Sequence, residues 1–224
     1  MNMDLNKIDS WVFDLDNTLY SAETGIFDQV DKLMGEYIVK YLNVEISKAK
    51  IIQKKYFKEH GTTLKGLMDN YNIIPEHFLD EVHKLDYSII KPNLELKKAL
   101  NKIKSEKIIF TNANRSHVNA ILDRLEINGA FDGIFDITDA NYIPKPEMIS
   151  YENLIKKFNI DKNKTIMFDD IAKNLVPASK IGFKTVWIDT GNENYSDDIA
   201  NSRKYLDYET TDLPLWLNSI IKES

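Results

Sequence analysis

Short apolar runs closed by polar residues alternate with segments of helical period along most of the chain. Ser10-Trp-Val-Phe-Asp-Leu-Asp16 is β-prone and ends in two aspartates, which predicts a strand. Asn17 to Gly25 reads as a loop. From Ile26 to about Ile90 the apolar positions Ile26, Val30, Leu33, Tyr37 and Tyr41, then Ile51, Ile52 and Tyr56, recur at helical spacing, and no strand is predicted. Gly61 and Gly66 are expected to interrupt the helices, and Pro75 to open another at its first turn. After Pro92 the rhythm changes. Helices are predicted over Leu94–Ile103, Ser116–Leu125 with Ser116 as cap, Glu147–Phe158, and Ala172–Ile181 with Gly182 as its stop. Strands are predicted over Lys107–Thr111, Gly133–Ile137, Thr165–Asp169 and Lys184–Ile188. Gly191–Asp207 reads as a loop with room for a short edge strand, and Leu213–Ile221 as an amphipathic segment packed on the core.

Alternating strands and helices imply right-handed crossovers and a parallel sheet. The fold class is therefore α/β, with a helical insert after the first strand. Residues 1–20 and 92–224 would form the core domain, and 21–91 the insert. Composition narrows the function. The 224 residues carry a formal charge of -6, which gives no global pull toward a nucleic-acid polymer. Cysteine is absent, which excludes disulfides, thiol nucleophiles and cysteine-ligated metals. No apolar run approaches the roughly 18 residues of a membrane span, and no apolar stretch follows a basic start, so neither a membrane anchor nor a signal peptide is expected. A cytoplasmic protein is the expectation.

Parallel sheets bind ligands beyond the carboxyl ends of their strands. Asp14 with Asp16, Thr111, Lys145, and Asp169 with Asp170 all fall at or just past such ends. Taken singly, each has a bland reading: aspartates in loops, a threonine padding a strand end, a solvated lysine, acids at a helix start. Gathered at one sheet edge, the carboxylates need a cation, and their oxygens suit Mg²⁺. A metal, a lysine and a hydroxyl beside a carboxylate make a phosphoryl-binding site.

Asp14-Leu-Asp-Asn-Thr-Leu-Tyr20, Thr111-Asn112, Lys145-Pro146 and Phe168-Asp-Asp170 resemble, in order, the four motifs of the haloacid dehalogenase-like hydrolase superfamily. Tyr56-Phe-Lys-Glu-His-Gly-Thr-Thr-Leu-Lys-Gly-Leu67, with Phe110-Thr-Asn-Ala113 and Asn174, resembles the pyrimidine 5′-nucleotidase group. The resemblance implies a doubly wound parallel sheet with an inserted helical cap. It implies Asp14 as nucleophile, Asp16 as general acid then base, and Thr111 and Lys145 as stabilisers of phosphoryl charge, with Asn112 in the same turn. The metal ligands would be Asp14, the backbone carbonyl of Asp16, and Asp169, with Asp170 either joining them or anchoring Lys145. Gly61, Thr62, Lys65 and Gly66 are the cap residues expected to face the site and touch substrate. Asp16 and the Asp169-Asp170 pair favour phosphate-ester hydrolysis over dehalogenation, which needs neither an acid for an alkoxide nor a metal. The expected partner is a small phosphorylated metabolite, by resemblance a pyrimidine nucleoside 5′-monophosphate. The alternatives are a sugar phosphate or other ester, and a weakly catalytic phosphate-binding regulator. His60, His77, His83 and His117 show no metal-ligand spacing and receive no role.

Overall fold

Trp11 and Phe13 turn to one face of the first strand and Val12 to the other, and all are buried. A strand covered on both faces belongs at the centre of a layered sheet. The computed structural model describes residues 7–191 and 196–221. Strand β1 is Ser10–Phe13, shorter than the predicted run, so both aspartates lie in the loop beyond it. Helices α1 (Ile26–Leu42), α2 (Ile46–His60), α3 (Thr63–Asn70) and α4 (Pro75–Val82) form the insert. The chain continues through α5 (Leu94–Lys102), β2 (Glu106–Phe110), α6 (Arg115–Leu125), β3 (Gly133–Phe135) and α7 (Met148–Phe158). It ends through β4 (Thr165–Asp169), α8 (Ala172–Ile181), β5 (Lys184–Ile188), α9 (Ser196–Ser202), β6 (Tyr208–Thr210) and α10 (Leu213–Ile220).

The six strands are ordered β3-β2-β1-β4-β5-β6, all parallel. One apolar layer joins Trp11, Phe13 and Phe168 to α5, α6 and α10; the other joins Val12, Ile108 and Met167 to α7 and α8. Phe13 and Phe168 stack at 4.6 Å, and Trp216 meets Phe168 edge-on at 5.3 Å. The insert has its own core around Tyr37, Ile38, Tyr56 and Phe78, which Ile137 of the sheet domain joins.

Three local expectations change. Ser116 does not cap α6: Asn114 does, its side chain accepting from the His117 N–H at 3.1 Å. Gly66 does not break a helix. It lies inside α3, where a Cβ would stand 2.4 Å from Tyr56 Cβ and Cγ, so glycine is there for close packing of α2 on α3. Within Gly191–Asp207 the described residues are largely helical, and the edge strand follows at Tyr208–Thr210; residues 192–195 lie outside the described set. Among the described residues no helix is long and apolar enough to cross a membrane.

Candidate active site

β1 pairs with β2 on one side and β4 on the other, so its carboxyl end is the point where the strand order reverses and a crevice opens. Asp14 is the first residue past β1, and its N–H still donates to the Phe168 carbonyl at 2.9 Å. Lys145 enters from the loop before α7. Its ammonium donates to Asp14 Oδ1 at 2.7 Å, Asp169 Oδ2 at 2.7 Å and the Phe110 carbonyl at 2.8 Å, with the residue 1% exposed. A lysine this buried persists only when fully partnered, and here all three donors are used.

Asn112 fixes the backbone of Lys145. Its Oδ1 accepts from the Lys145 N–H at 2.8 Å, and its Nδ2 donates to the Lys145 carbonyl at 3.2 Å. Thr111 is buried, and its Oγ1 accepts from the Ala113 N–H at 3.1 Å. Asp169 Oδ1 accepts from the Ile171 N–H at 2.9 Å, and Asn174 Nδ2 donates to both of its oxygens at 3.0 and 3.2 Å.

Asp14, Asp169 and Asp170 bring carboxylate oxygens within 4.8 Å of one another. Among the described residues Lys145 is the cation paired with them, at Asp14 and Asp169. Burial, countered by Lys145 and reinforced by Asp169 and Asp16, pushes Asp14 up to about 7. Burial, then the charges of Asp14 and Asp169, carry Asp170 well above the carboxylate range. An excess of buried negative charge on an all-oxygen donor set fits a hard divalent cation such as Mg²⁺. Asp170 makes no hydrogen bond to Lys145: its Oδ2 accepts from Asn17 at 3.4 Å and its carbonyl from Trp187 Nε1 at 2.9 Å, and its carboxylate lies beside those of Asp14 and Asp169.

Residues 8–182 match the family described as haloacid dehalogenase-like hydrolase. The chain belongs to that family. It is 27% identical over 188 residues to "Phosphate metabolism protein 8" of Saccharomyces cerevisiae, covering 76% of this chain and 58% of the yeast protein. The chain thus spans less than two thirds of that relative's length. It is 24% identical over 216 residues to "Glyceraldehyde 3-phosphate phosphatase" of Methanocaldococcus jannaschii, covering 87% of this chain and 93% of the other. Among solved structures, a HAD phosphatase from Thermococcus onnurineus superposes with a TM-score of 0.62 at 16% identity, covering 95% and 97% of the two chains. The L-2-haloacid dehalogenase of Xanthobacter autotrophicus gives 0.54 at 14%, covering 97% and 90%. These structures share the fold of the present hydrolase.

Asp16 of this haloacid dehalogenase-like hydrolase stands apart from the acidic cluster. Its Oδ1 accepts from the Tyr20 hydroxyl at 2.6 Å and from His117 Nε2 at 2.7 Å. Burial opposes its charge, but His117 and Tyr20 prevail and hold Asp16 down at about 2. His117 Nδ1 meets the Tyr87 hydroxyl at 2.9 Å, and His83 stacks on the His117 ring at 4.4 Å. Burial, then the neighbouring His117, lowers His83 to about 3, so it is neutral. Tyr20, His83, Tyr87, His117 and Asn174 are site residues to which the sequence pattern assigned no role in the site. The available signals were Tyr20, which closes the Asp14–Tyr20 motif, and Asn174, which follows the Phe168-Asp-Asp170 motif.

The roof of the crevice is apolar: Phe27, Val30, Phe57, Leu64, Phe78 and Val82 line it, and no lysine or arginine of the insert does so among the described residues. Thr62 lines it too, while its Oγ1 accepts from the Lys65 N–H at 3.1 Å as the cap of α3. Gly61, at φ +81, lets the insert approach the Lys145 loop: a Cβ would stand 3.2 Å from the Lys145 carbonyl and from Pro146 Cδ. Lys65 is not brought into the crevice. Its ammonium pairs with Asp69, one turn further along α3, and Gly66 faces Tyr56.

Proposed function

We propose that this hydrolase cleaves the phosphate monoester of a small metabolite through an aspartyl-phosphate on Asp14. The observation that carries the reading is the Asp14–Lys145–Asp169 triad, in which a nucleophilic carboxylate lies against a fixed, buried cation. Asp14 attacks phosphorus, the bond to the leaving oxygen breaks, and Asp16 gives that oxygen a proton. Asp16 is ionised in the free protein; the negative charge of a bound phosphate ester raises it, so that the proton it transfers is gained on binding. Asp16 then takes a proton from the water that attacks the aspartyl-phosphate, and Asp14 is regenerated. Lys145 and the Thr111 hydroxyl stabilise phosphoryl charge, while Asn112 keeps the Lys145 backbone in place. Asp14, Asp169, Asp170 and the Asp16 carbonyl would hold Mg²⁺, which when bound offsets charge on the phosphoryl oxygens.

Residues 21–91 act as a lid over the core formed by 1–20 and 92–224. The apolar roof favours a leaving group without a second anionic centre, because such a charge would find no cation there. A pyrimidine nucleoside 5′-monophosphate fits this requirement, with the half-exposed ring of Phe27 on the roof for a base face and Thr62 for a polar contact. The motif Tyr56–Leu67 supports it. An uncharged sugar or triose phosphate is the second reading, supported by the name of the Methanocaldococcus relative. The complete set Asp14, Asp16, Lys145 and Asp169 favours either over a non-catalytic regulator. The absence of cysteine suits a reducing compartment, and we place the protein in the cytoplasm.

The test is phosphate release from UMP, CMP, AMP, glyceraldehyde 3-phosphate, hexose phosphates and an aryl phosphate, with Mg²⁺ or chelator and with Asp14→Asn as control. Metal-dependent release favouring UMP or CMP supports the nucleotide reading. Preference for a triose or hexose phosphate keeps the mechanism and replaces the substrate. No release from any ester, or full activity of Asp14→Asn, refutes the proposal.

A further inference from the structure

Asp16 presents its two oxygens to different surroundings. Oδ1 receives two donors, Tyr20 at 2.6 Å and His117 at 2.7 Å, whereas Oδ2 has no hydrogen bond among the described residues and the side chain lines the crevice. One oxygen is therefore pinned and the other is free to meet a substrate atom. The pin is itself held. His117 bridges the two: its Nε2 lies 2.7 Å from Asp16 Oδ1, and its Nδ1 lies 2.9 Å from the Tyr87 hydroxyl, which itself donates to the His83 carbonyl at 3.2 Å. His117 is 1% exposed, sits on α6 of the core, and has its ring face covered by His83. Tyr87 and His83 both belong to the return of the insert toward the core, after α4. A hydroxyl borne by the insert thus bears on a core carboxylate through one imidazole.

We propose that His117, held by Tyr87, is a positioning residue that aims Asp16 at the leaving oxygen and makes that aim depend on the seating of the insert. The inference rests on the phosphate-monoester reading above. His117 and Tyr87 touch neither the phosphoryl site nor the acidic cluster, so they act only through Asp16. An alkoxide leaving group needs a proton in the transition state, whereas a nitrophenolate departs without one. A loss confined to alkyl esters therefore reports on the aim of Asp16, and damage to the fold would slow both ester types alike.

The experiment compares kcat/KM for p-nitrophenyl phosphate with that for the best alkyl monophosphate, in wild type, Asp16→Asn, His117→Ala, His117→Gln and Tyr87→Phe, all with Mg²⁺. We expect His117→Ala to lose about 100-fold on the alkyl ester and less than about 3-fold on the aryl ester, within the range of general acid catalysis. His117→Gln keeps an amide donor near the Nε2 position and should recover to within about 10-fold of wild type, and Tyr87→Phe should lose about 10-fold on the alkyl ester alone. Because His117 is buried, Tyr87→Phe is the variant that keeps the idea testable should His117→Ala fail to fold. Equal losses on both esters, or none in Tyr87→Phe and His117→Gln alongside an alkyl-selective loss in Asp16→Asn, overturn the positioning role and leave the phosphatase reading standing. A wild type inactive on both esters, or an Asp16→Asn variant that slows both equally, removes the reading beneath it and the inference with it.

Discussion

Lys145→Met removes one cation and leaves the surrounding carboxylates in place. In the wild type the ammonium sits 2.7 Å from oxygens of both Asp14 and Asp169, with 1% of the residue exposed. Methionine preserves most of the apolar stem, so the change is chiefly electrostatic. Removing one partner from a buried ion pair costs about 3–5 kcal/mol, because the remaining charge is stranded away from water. Protonation limits that cost. Asp14 already titrates at about 7, so without Lys145 it takes up a proton more readily, and the loss should be largest near pH 8 and smaller near pH 5.5. Asp14→Asn is the counterpart. It retains the Lys145–Asp169 pair, relieves carboxylate repulsion, and should cost less than about 1 kcal/mol or stabilise. The assay is urea unfolding in chelator, followed by tryptophan fluorescence; Trp11, Trp187 and Trp216 all pack in the sheet domain, so the signal reports the core. A Lys145→Met protein within about 1 kcal/mol of wild type at pH 8 would refute the claim that this lysine holds the carboxylates together. So would an Asp14→Asn loss as large as that of Lys145→Met.

Other consequences are open to measurement. Because Asp14 is raised from 3.8 to about 7, the folded protein holds a proton that the unfolded chain releases; this stabilisation is complete below 3.8 and is lost as pH rises through about 7, and Asp170 acts in the same direction. Metal-free protein should therefore melt lower at pH 8 than at pH 5.5, and Mg²⁺ should raise the melting temperature more at pH 8; a metal response equal at both pH values would contradict this. Gly66→Ala should destabilise the insert by about 1–3 kcal/mol, seen as a lower thermal transition, since its Cβ would collide with Tyr56 Cβ and Cγ at 2.4 Å; unchanged melting would show that α2 and α3 can separate at no cost. Asn114→Ala should cost about 1 kcal/mol and speed amide exchange in the first turn of α6, with Ser116→Ala costing less; the reverse order would return the cap to Ser116.

The strands and most helices were readable because their cause is local. Thr165–Asp169 and Lys184–Ile188 are apolar runs of strand length with polar borders, and they form strands over those same residues. Strand ends carrying Asp14 and Asp169 pointed to one sheet edge, since a parallel sheet collects such ends, whereas Lys145 reaches it from the loop before α7, ten residues past β3. Errors arose where a neighbour outside the local window decided. Gly66 looks like a helix break until Tyr56 is seen against it, and Ser116 looks like a cap until Asn114 takes the His117 N–H. Lys65 resembles a ligand-binding cation, yet the rotation of α3 sends it to Asp69.

By itself, then, the sequence determined the layered α/β core, the helical insert and the order of the charged groups along the sheet edge. Those follow from the period of apolar residues and from strand polarity, both short-range properties. Only the tertiary structure decided that Lys145 bridges Asp14 and Asp169, that Asp170 faces Asn17, and that His117, 101 positions from Asp16, holds its Oδ1. A histidine on a helix has no periodic signature of its partner. The contact exists because the packing of α6 against the loop after β1 closes a distance that no local pattern encodes.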